Sequence, residues 1–346
     1  MNAESITICT GKTMGMFNIW LTEACNLKCT YCYESNKSMQ YMQKDTIENA
    51  IEFISRKSRK MSCCLINFHG GEPLLAFDNI MYFVSELNKR IEHPVYSLTT
   101  NGLLLDEEKL KKLYESKIYL SLSLDGNADV NDQCRISRDG KGTYERVVSK
   151  IPLIMKYYSE LRIRMTVTPA TSVHLYESVK HIYQLGGKLI IAVPDLYDKN
   201  WTQELINGLE KQVFDLYREF ENTDLEFIFF EKLENCKKGK CDGGINEFNI
   251  SIEGELYPCS FITGNKEFLI GNVIDDVDDE LLSKFSTSYG KENHTCTGCG
   301  REKVCTAVRC KYINAMMTGD LLKAHPVICA FEHLVNNISR RIKIQE

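Results

Sequence analysis

Three cysteines near the start of the chain, Cys25, Cys29 and Cys32, are spaced C-x3-C-x2-C. Three thiolates on one short loop can hold three irons of a cubane iron–sulfur cluster and leave the fourth iron without a protein ligand. An iron with an open position is a place where chemistry can occur. A second set gathers toward the C-terminus: Cys236, Cys241, Cys259, Cys296, Cys299, Cys305, Cys310 and Cys329. Together these thiolates make two four-cysteine sites. Tetrahedra of thiolates suit zinc, and the C-x2-C of Cys296 and Cys299 is a common zinc spacing. A cluster-binding loop on the same chain argues for further iron–sulfur clusters instead. Of the remaining cysteines, Cys63 and Cys64 read as small apolar packing on a strand. Cys134 reads as a loop cysteine, with a thiol donor facing the site as the alternative. Cys9 is left unassigned.

The elements that must position these residues alternate. Apolar runs at 17–21, 64–68, 95–100, 118–124, 161–168 and 188–193 read as strands. Amphipathic runs at 45–59, 77–91, 106–116, 143–158 and 173–185 read as helices, with a polar loop at 127–142. Six βα units without hairpin signals imply a parallel sheet curved as a partial (β/α)6 barrel. In such folds the loops after the strands' C-terminal ends carry the site. The cysteine loop, Gly70-Gly71-Glu72-Pro73, Asn101-Gly102 and Asp125-Gly126 all fall on those loops. A helix at 201–222 and a strand at 225–230 follow, and then the texture changes. Short elements and glycine turns take over, with a hairpin at 246–252 and 255–257 and helices at 307–317 and 326–341. The expected organisation is a lead-in at 1–16, an α/β core at 17–234 and a small cysteine-rich domain at 235–346.

Composition narrows the function classes. The chain has 346 residues, 43% hydrophobic and 26% charged, with a net charge of −5. That balance gives no global positive field for nucleic acid. The run Lys237, Lys238, Lys240 reads as a solvated loop. No apolar stretch reaches the roughly 18 residues of a membrane span. The N-terminus lacks the pattern of a signal peptide, so a cytoplasmic location is expected. In that reducing compartment, fifteen cysteines speak for metal binding over a disulfide scaffold.

With these motifs in place, the chain resembles the radical SAM enzymes. Cys25, Cys29 and Cys32, with the aromatic Tyr31, look like that family's cysteine signature. Gly70-Gly71-Glu72-Pro73 looks like its GGEP motif. Thr99 to Gly102, Ser123 to Gly126 and Asp139 to Tyr144 complete the pattern at the following strands. The later cysteines are similar to a SPASM domain, which holds two auxiliary [4Fe–4S] clusters. The resemblance implies that Cys25, Cys29 and Cys32 hold the cluster whose open iron binds S-adenosylmethionine (SAM). It implies that Gly70, Gly71 and Glu72 hold the methionine ammonium, since a carboxylate and backbone carbonyls suit a cation. Asn101, Ser123, Arg135 and Thr168 are further candidates for the ribose or SAM carboxylate. For each of these four the competing role is local turn or strand-end bonding. The implied auxiliary ligands interleave: Cys236, Cys241, Cys259 and Cys310 for one cluster, Cys296, Cys299, Cys305 and Cys329 for the other.

The resemblance also implies the chemistry. An electron from a low-potential donor such as flavodoxin or ferredoxin splits SAM to methionine and a 5′-deoxyadenosyl radical, which takes hydrogen from an unactivated carbon. Related SPASM proteins mostly modify ribosomally made peptides and proteins. Two outcomes compete: a thioether or other cross-link within a short precursor peptide, and oxidation of Ser or Cys to formylglycine as in anaerobic sulfatase maturases. In those maturases an aspartate follows the cysteine equivalent to Cys259 and serves as base. Here that residue is Ser260, a poor base without an activating partner, so cross-linking is preferred. The 16 residues before the first strand are too few for a leader-binding domain. Leader recognition is therefore expected on the barrel, on the SPASM domain or on a separate protein. An electron-transfer scaffold or a zinc-binding interaction protein would need neither the GGEP run nor the strand-end motifs.

Overall fold

The computed structural model describes residues 14–33, 38–230, 241–286, 293, 296–301, 305 and 310–345. The chain runs β1 (Met14–Trp20), α1 (Lys44–Ser58), β2 (Cys63–His69), α2 (Phe77–Asn88), β3 (Pro94–Thr100), α3 (Glu107–Glu115) and β4 (Ile118–Ser123). Three short helices follow, α4 (Ala128–Cys134), α5 (Tyr144–Val148) and α6 (Ile151–Ile154). Then come β5 (Leu161–Val167), α7 (Leu175–Gln184), β6 (Gly187–Pro194), α8 (Gln203–Phe220) and β7 (Glu226–Phe227). Neighbouring strands from β1 to β7 pair in parallel. The sheet ends at β7 without closing, which makes it the expected partial barrel.

Beyond β1 the same sheet continues. β8 (Glu247–Ile250) pairs in parallel with β1, and β9 (Glu255–Tyr257), β10 (Gly271–Asn272) and β11 (Asp276–Val277) extend it antiparallel. The expected hairpin is thus an extension of the barrel wall. Phe248 stacks on Phe17 at 5.6 Å and meets Phe53 of α1 edge-on at 5.4 Å. Burying each such ring contributes about 1.5–3 kcal/mol. The chain closes with α9 (Asp279–Ser286), α10 (Lys311–Thr318) and α11 (Pro326–Gln345). α11 lies against α8, with Arg341 over the Phe214 ring at 4.3 Å. The expected domain boundary at 234 lies outside the described residues.

Three local expectations fail. The stretch 127–142 is not all loop, because Asn127 accepts the Val130 N–H and caps α4. The helix expected over 143–158 is broken into α5 and α6. Pro152, in the first turn of α6, has no N–H to continue the earlier helix. Cys63, expected as apolar packing, is buried but disulfide-bonded.

Alternation along the strands separates two faces. Phe17, Ile19, Ile66, Phe68, Leu120, Leu122, Ile163 and Met165 belong to the core beneath the helices. The opposite, concave face is polar. Asn249, Asn18, Asn67 and Ser97 form one ladder across β8, β1, β2 and β3 at 2.9–3.0 Å. A barrel lined this way offers hydrogen-bonding groups to whatever enters its mouth.

Candidate functional site

β1 delivers the chain into the cysteine loop at the barrel mouth, and the segment after α4 holds that loop. Lys28 N–H donates to the Ile136 carbonyl at 2.8 Å and Thr30 N–H to the Cys134 carbonyl at 3.0 Å. Arg138 Nε donates to the Cys25 carbonyl at 2.7 Å. Arg138 was not singled out in the sequence, where it is one charge in a polar loop. Cys134 thus supports the loop through its backbone.

Cys25, Cys29 and Cys32 line one cavity of about 150 Å³. The structure brings Gly70, Gly71, Glu72, Asn101, Ser123 and Arg135 to the same cavity. Thr168 is not in its lining. The Thr168 hydroxyl lies 3.0 Å from that of Thr171 in a local turn, the competing role weighed for it.

The glycine run touches the cysteine loop directly. Gly71 N–H donates to the Thr22 carbonyl at 2.9 Å and Glu72 N–H to the Ala24 carbonyl at 2.8 Å. A Cβ on Gly71 would sit 2.3 Å from the Ala24 oxygen, and one on Gly70 2.2 Å from the Thr22 oxygen. Gly70 also has φ +126°, a region that glycine alone visits freely. Glu72 is 1% exposed and its carboxylate is already engaged. It accepts from Thr100 Oγ1 at 2.7 Å, Asn101 N–H at 2.9 Å and Leu74 N–H at 3.0 Å. Its side chain therefore ties β2 to β3 while bordering the cavity beside the glycine backbone. Asn101 Nδ2 reaches back to Asn26 Oδ1 at 2.7 Å, joining β3 to the cysteine loop.

Arg135 pairs bidentately with Asp125, Nε to Oδ2 at 2.9 Å and Nη2 to Oδ1 at 3.0 Å. Asp125 also accepts from Tyr31 Oη at 2.7 Å, and the guanidinium lies over the Tyr31 ring at 5.5 Å. The aromatic residue between Cys29 and Cys32 is thus held by a buried ion pair. Burial pushes the Cys29 thiol up to about 11, with Arg135 pulling the other way. A thiol that resists ionisation when free is stabilised as thiolate once a metal replaces its proton.

The later cysteines fall into two groups. The Cys259 thiol is pushed well up by burial and further by nearby Glu247, Cys241 and Cys310. Cys329 is raised by burial and by Cys296 and Cys299, and Cys305 packs beside Cys296. Cys236 lies outside the described residues. Among the described residues no three His, Cys, Asp or Glu side chains converge tightly enough to hold a single ion. A cubane spreads its ligands over several irons.

A second cavity, of about 370 Å³, adjoins the first, and Tyr33 lines both. Tyr33 stacks on Tyr197 at 6.4 Å and leans on Phe261 at 5.9 Å, and Tyr197 Oη donates to the Phe261 carbonyl at 2.8 Å. Glu23 and Glu253 also line this cavity. Asp195, just past β6, is buried and its carboxyl is raised by that burial. The sequence signal for Asp195 was its place after a strand's C-terminal end.

A partial parallel barrel with three thiols, a glycine run and paired charges at its strand ends defines an α/β enzyme with its site at the barrel mouth. Residues 20–182 match the Radical SAM superfamily, so the chain carries a radical SAM domain. It is 29% identical over 322 residues to the cysteine-type anaerobic sulfatase-maturating enzyme of Clostridium perfringens, covering 82% of this chain and 85% of that protein. It is 25% identical over 281 residues to the antilisterial bacteriocin subtilosin biosynthesis protein AlbA of Bacillus subtilis, covering 76% of this chain and 58% of AlbA. Its fold matches native anSMEcpe with bound AdoMet and Kp18Cys peptide, with TM-score 0.78, 23% identity, and 95% and 99% of the two chains covered. The chain is thus related to radical SAM maturases, a family with a [4Fe–4S] cluster and SAM. No helix among the described residues is long and apolar enough to cross a membrane.

Proposed function

We propose that the protein is a maturase of a ribosomally made peptide or protein, and that its product is a thioether or other side-chain cross-link. Cys25, Cys29 and Cys32 hold the first [4Fe–4S] cluster. A cluster held there would, with SAM bound, supply the family's 5′-deoxyadenosyl radical chemistry. The protein's own residues do the positioning. Gly70, Gly71 and Glu72 hold the methionine ammonium, Thr100 and Asn101 fix the Glu72 carboxylate, and Asn101, Ser123 and Arg135 border the remaining cavity. The observation that carries this reading is the shared cavity of the three thiols, the glycine run and Ser123. Cys241, Cys259 and Cys310, with Cys236, hold one auxiliary cluster. Cys296, Cys299, Cys305 and Cys329 hold the other. The neighbour relations of Cys259 and Cys329 support this division. A flavodoxin or ferredoxin supplies the electron, and the domain division at about residue 234 is part of the same proposal.

Ser260 supports cross-linking over formylglycine, because its hydroxyl does not serve as base at the position after Cys259. Formylglycine formation is the second reading, favoured by the length match to the Clostridium maturase. Three cubanes require about 12 iron per chain after anaerobic reconstitution. Zinc at the C-terminal sites would overturn the auxiliary clusters. With dithionite and SAM, Cys25→Ala must stop release of 5′-deoxyadenosine; continued release would refute the role of that cysteine. Product mass separates the two outcomes on a cysteine peptide. A thioether loses two hydrogens and keeps its sulfur, whereas formylglycine loses two hydrogens and also exchanges sulfur for oxygen.

A further inference from the structure

β5 carries Arg162, Arg164 and Thr166 in alternation with the buried Leu161, Ile163, Met165 and Val167. The alternate residues therefore face the barrel's concave side. Register places Arg162 beside Ser121, and Arg164 one step nearer the mouth, beside Ser123. Ser123 lines the cavity of the three cysteines. The two arginines differ in their surroundings. Arg162 lies over the Tyr119 ring at 5.7 Å and has Glu160 and Glu226 nearby. Arg164 is exposed, yet burial pulls its pKa down, and among the described residues the ionisable group acting on it is the Tyr33 phenol. A group both crowded and accessible lines an open concavity. Among the described residues no carboxylate pairs with it. Arginine cannot shed its proton to relieve this, so among the described residues the barrel mouth holds a positive charge without a carboxylate partner.

We propose that Arg164 is the residue that selects the substrate, binding a carboxylate of the peptide next to the residue that reacts. This rests on the peptide-modifying reading above. Arg164 pairs in register with Ser123, on the wall of the first cavity, and its charge acts on Tyr33, which lines both cavities, although Arg164 itself is in the lining of neither. It therefore meets what enters from the second cavity. Among the described residues the lining of that cavity has Glu23 and Glu253 and no lysine or arginine, so an acidic group is repelled there and finds its complement at Arg164. Arg135, the other arginine of the site, is committed to Asp125. A guanidinium fork matches a carboxylate bidentately. The carboxylate is that of an Asp or Glu side chain or of the peptide's C-terminus.

The test uses the reconstituted holoenzyme and a set of cysteine-bearing 18-residue peptides (about that length suffices to span both cavities). Each has Glu, Gln or Lys at one position flanking the cysteine, and each has a free or amidated C-terminus. Binding is read by fluorescence anisotropy and turnover by mass spectrometry. The wild type should bind one Glu or free-acid peptide about 10- to 100-fold more tightly than its neutral isostere, the effect of one charge-assisted pair. Which substitution matters, side chain or terminus, identifies the source of the carboxylate. Arg164→Gln should abolish that preference, and Arg164→Glu should favour the Lys peptide. SAM affinity, measured by equilibrium dialysis, should stay unchanged in Arg164→Gln. A preference that survives Arg164→Gln, or equal binding of acid and isostere, overturns the proposal. A fall in SAM affinity matching the fall in peptide affinity overturns it too, by making Arg164 a cofactor ligand. If no peptide is modified at all, the peptide reading itself fails; modification without charge preference defeats only Arg164.

Discussion

Asp125→Asn is the most informative single change. The Asp125 side chain is 1% exposed and accepts from Tyr31 Oη at 2.7 Å, Arg135 Nε at 2.9 Å, Arg135 Nη2 at 3.0 Å and Thr166 N–H at 2.8 Å. Both oxygens face donors only. An amide has one acceptor and one NH2, so asparagine sets a donor against a donor on either flip. It also removes the charge that balances Arg135, whose guanidinium is itself buried. Breaking such a pair from one side costs about 3–5 kcal/mol, roughly a 100- to 5,000-fold shift in the unfolding equilibrium. Urea unfolding followed by the fluorescence of Trp20 and Trp201 measures it. Iron per chain should fall as well, because Tyr31 lies inside the cysteine loop. Asp125→Leu with Arg135→Met should recover most of the stability, since no unpaired charge then remains. A loss below about 1 kcal/mol in Asp125→Asn, or a double variant less stable than the single one, would refute the reasoning.

Gly71→Ala should lose iron from the first site, because its Cβ meets the backbone oxygens of Ala24 and Glu23 at 2.3 and 2.5 Å. Gly208→Ala, in α8 with open space around it, should stabilise the protein by about 1 kcal/mol; equal iron content in the two variants would count against the close approach. His181 lies 2.6 Å from the Tyr144 hydroxyl, and burial lowers its pKa. The fold therefore prefers the neutral ring. Its contribution is present above the ordinary histidine range, near pH 6.5, and is lost as pH falls through the lowered value. The stability advantage of wild type over His181→Gln should shrink from about pH 8 to about pH 5; parallel curves would exclude this.

The barrel was legible because its parts obey local rules. Strand periodicity located β1 to β6, and the motifs fell where strands end. What failed was set by residues far apart in sequence or by single caps. Asn131, fully buried, offers Oδ1 to the Asp125 N–H at 3.3 Å and Nδ2 to Thr143 Oγ1 at 3.3 Å. A polar run organised by its own side chains reads as loop. Pairing of β8 with β1 across some 230 positions leaves no periodic trace. Glu72 was read as a SAM contact from its motif, and only the positions of Thr100 and Asn101 reveal that its carboxylate also ties β2 to β3. Arg138 and Arg164 were passed over because an arginine on a loop or strand is ordinary until its surroundings are known.

The distribution of spent and unspent charge separates frame from recognition. Glu72 joins β2 to β3, Asp125 and Arg135 join β4 to the Tyr31 loop, and Arg138 holds the Cys25 carbonyl. Each of these groups is buried or satisfied by the protein itself. A satisfied buried network is rigid, because moving any member strands another without a partner. Rigidity suits a site built around a reactive radical, where the protein's part is to fix geometry and exclude side reactions. The same satisfaction makes these groups poor at distinguishing substrates, since they have little left to offer. Selectivity must come from groups that the fold leaves without a partner, and among the described residues of the barrel mouth Arg164 meets that condition. Substitutions in the frame should therefore lower iron content and stability for every substrate alike, while substitution of Arg164 should change which peptide is chosen and leave both untouched.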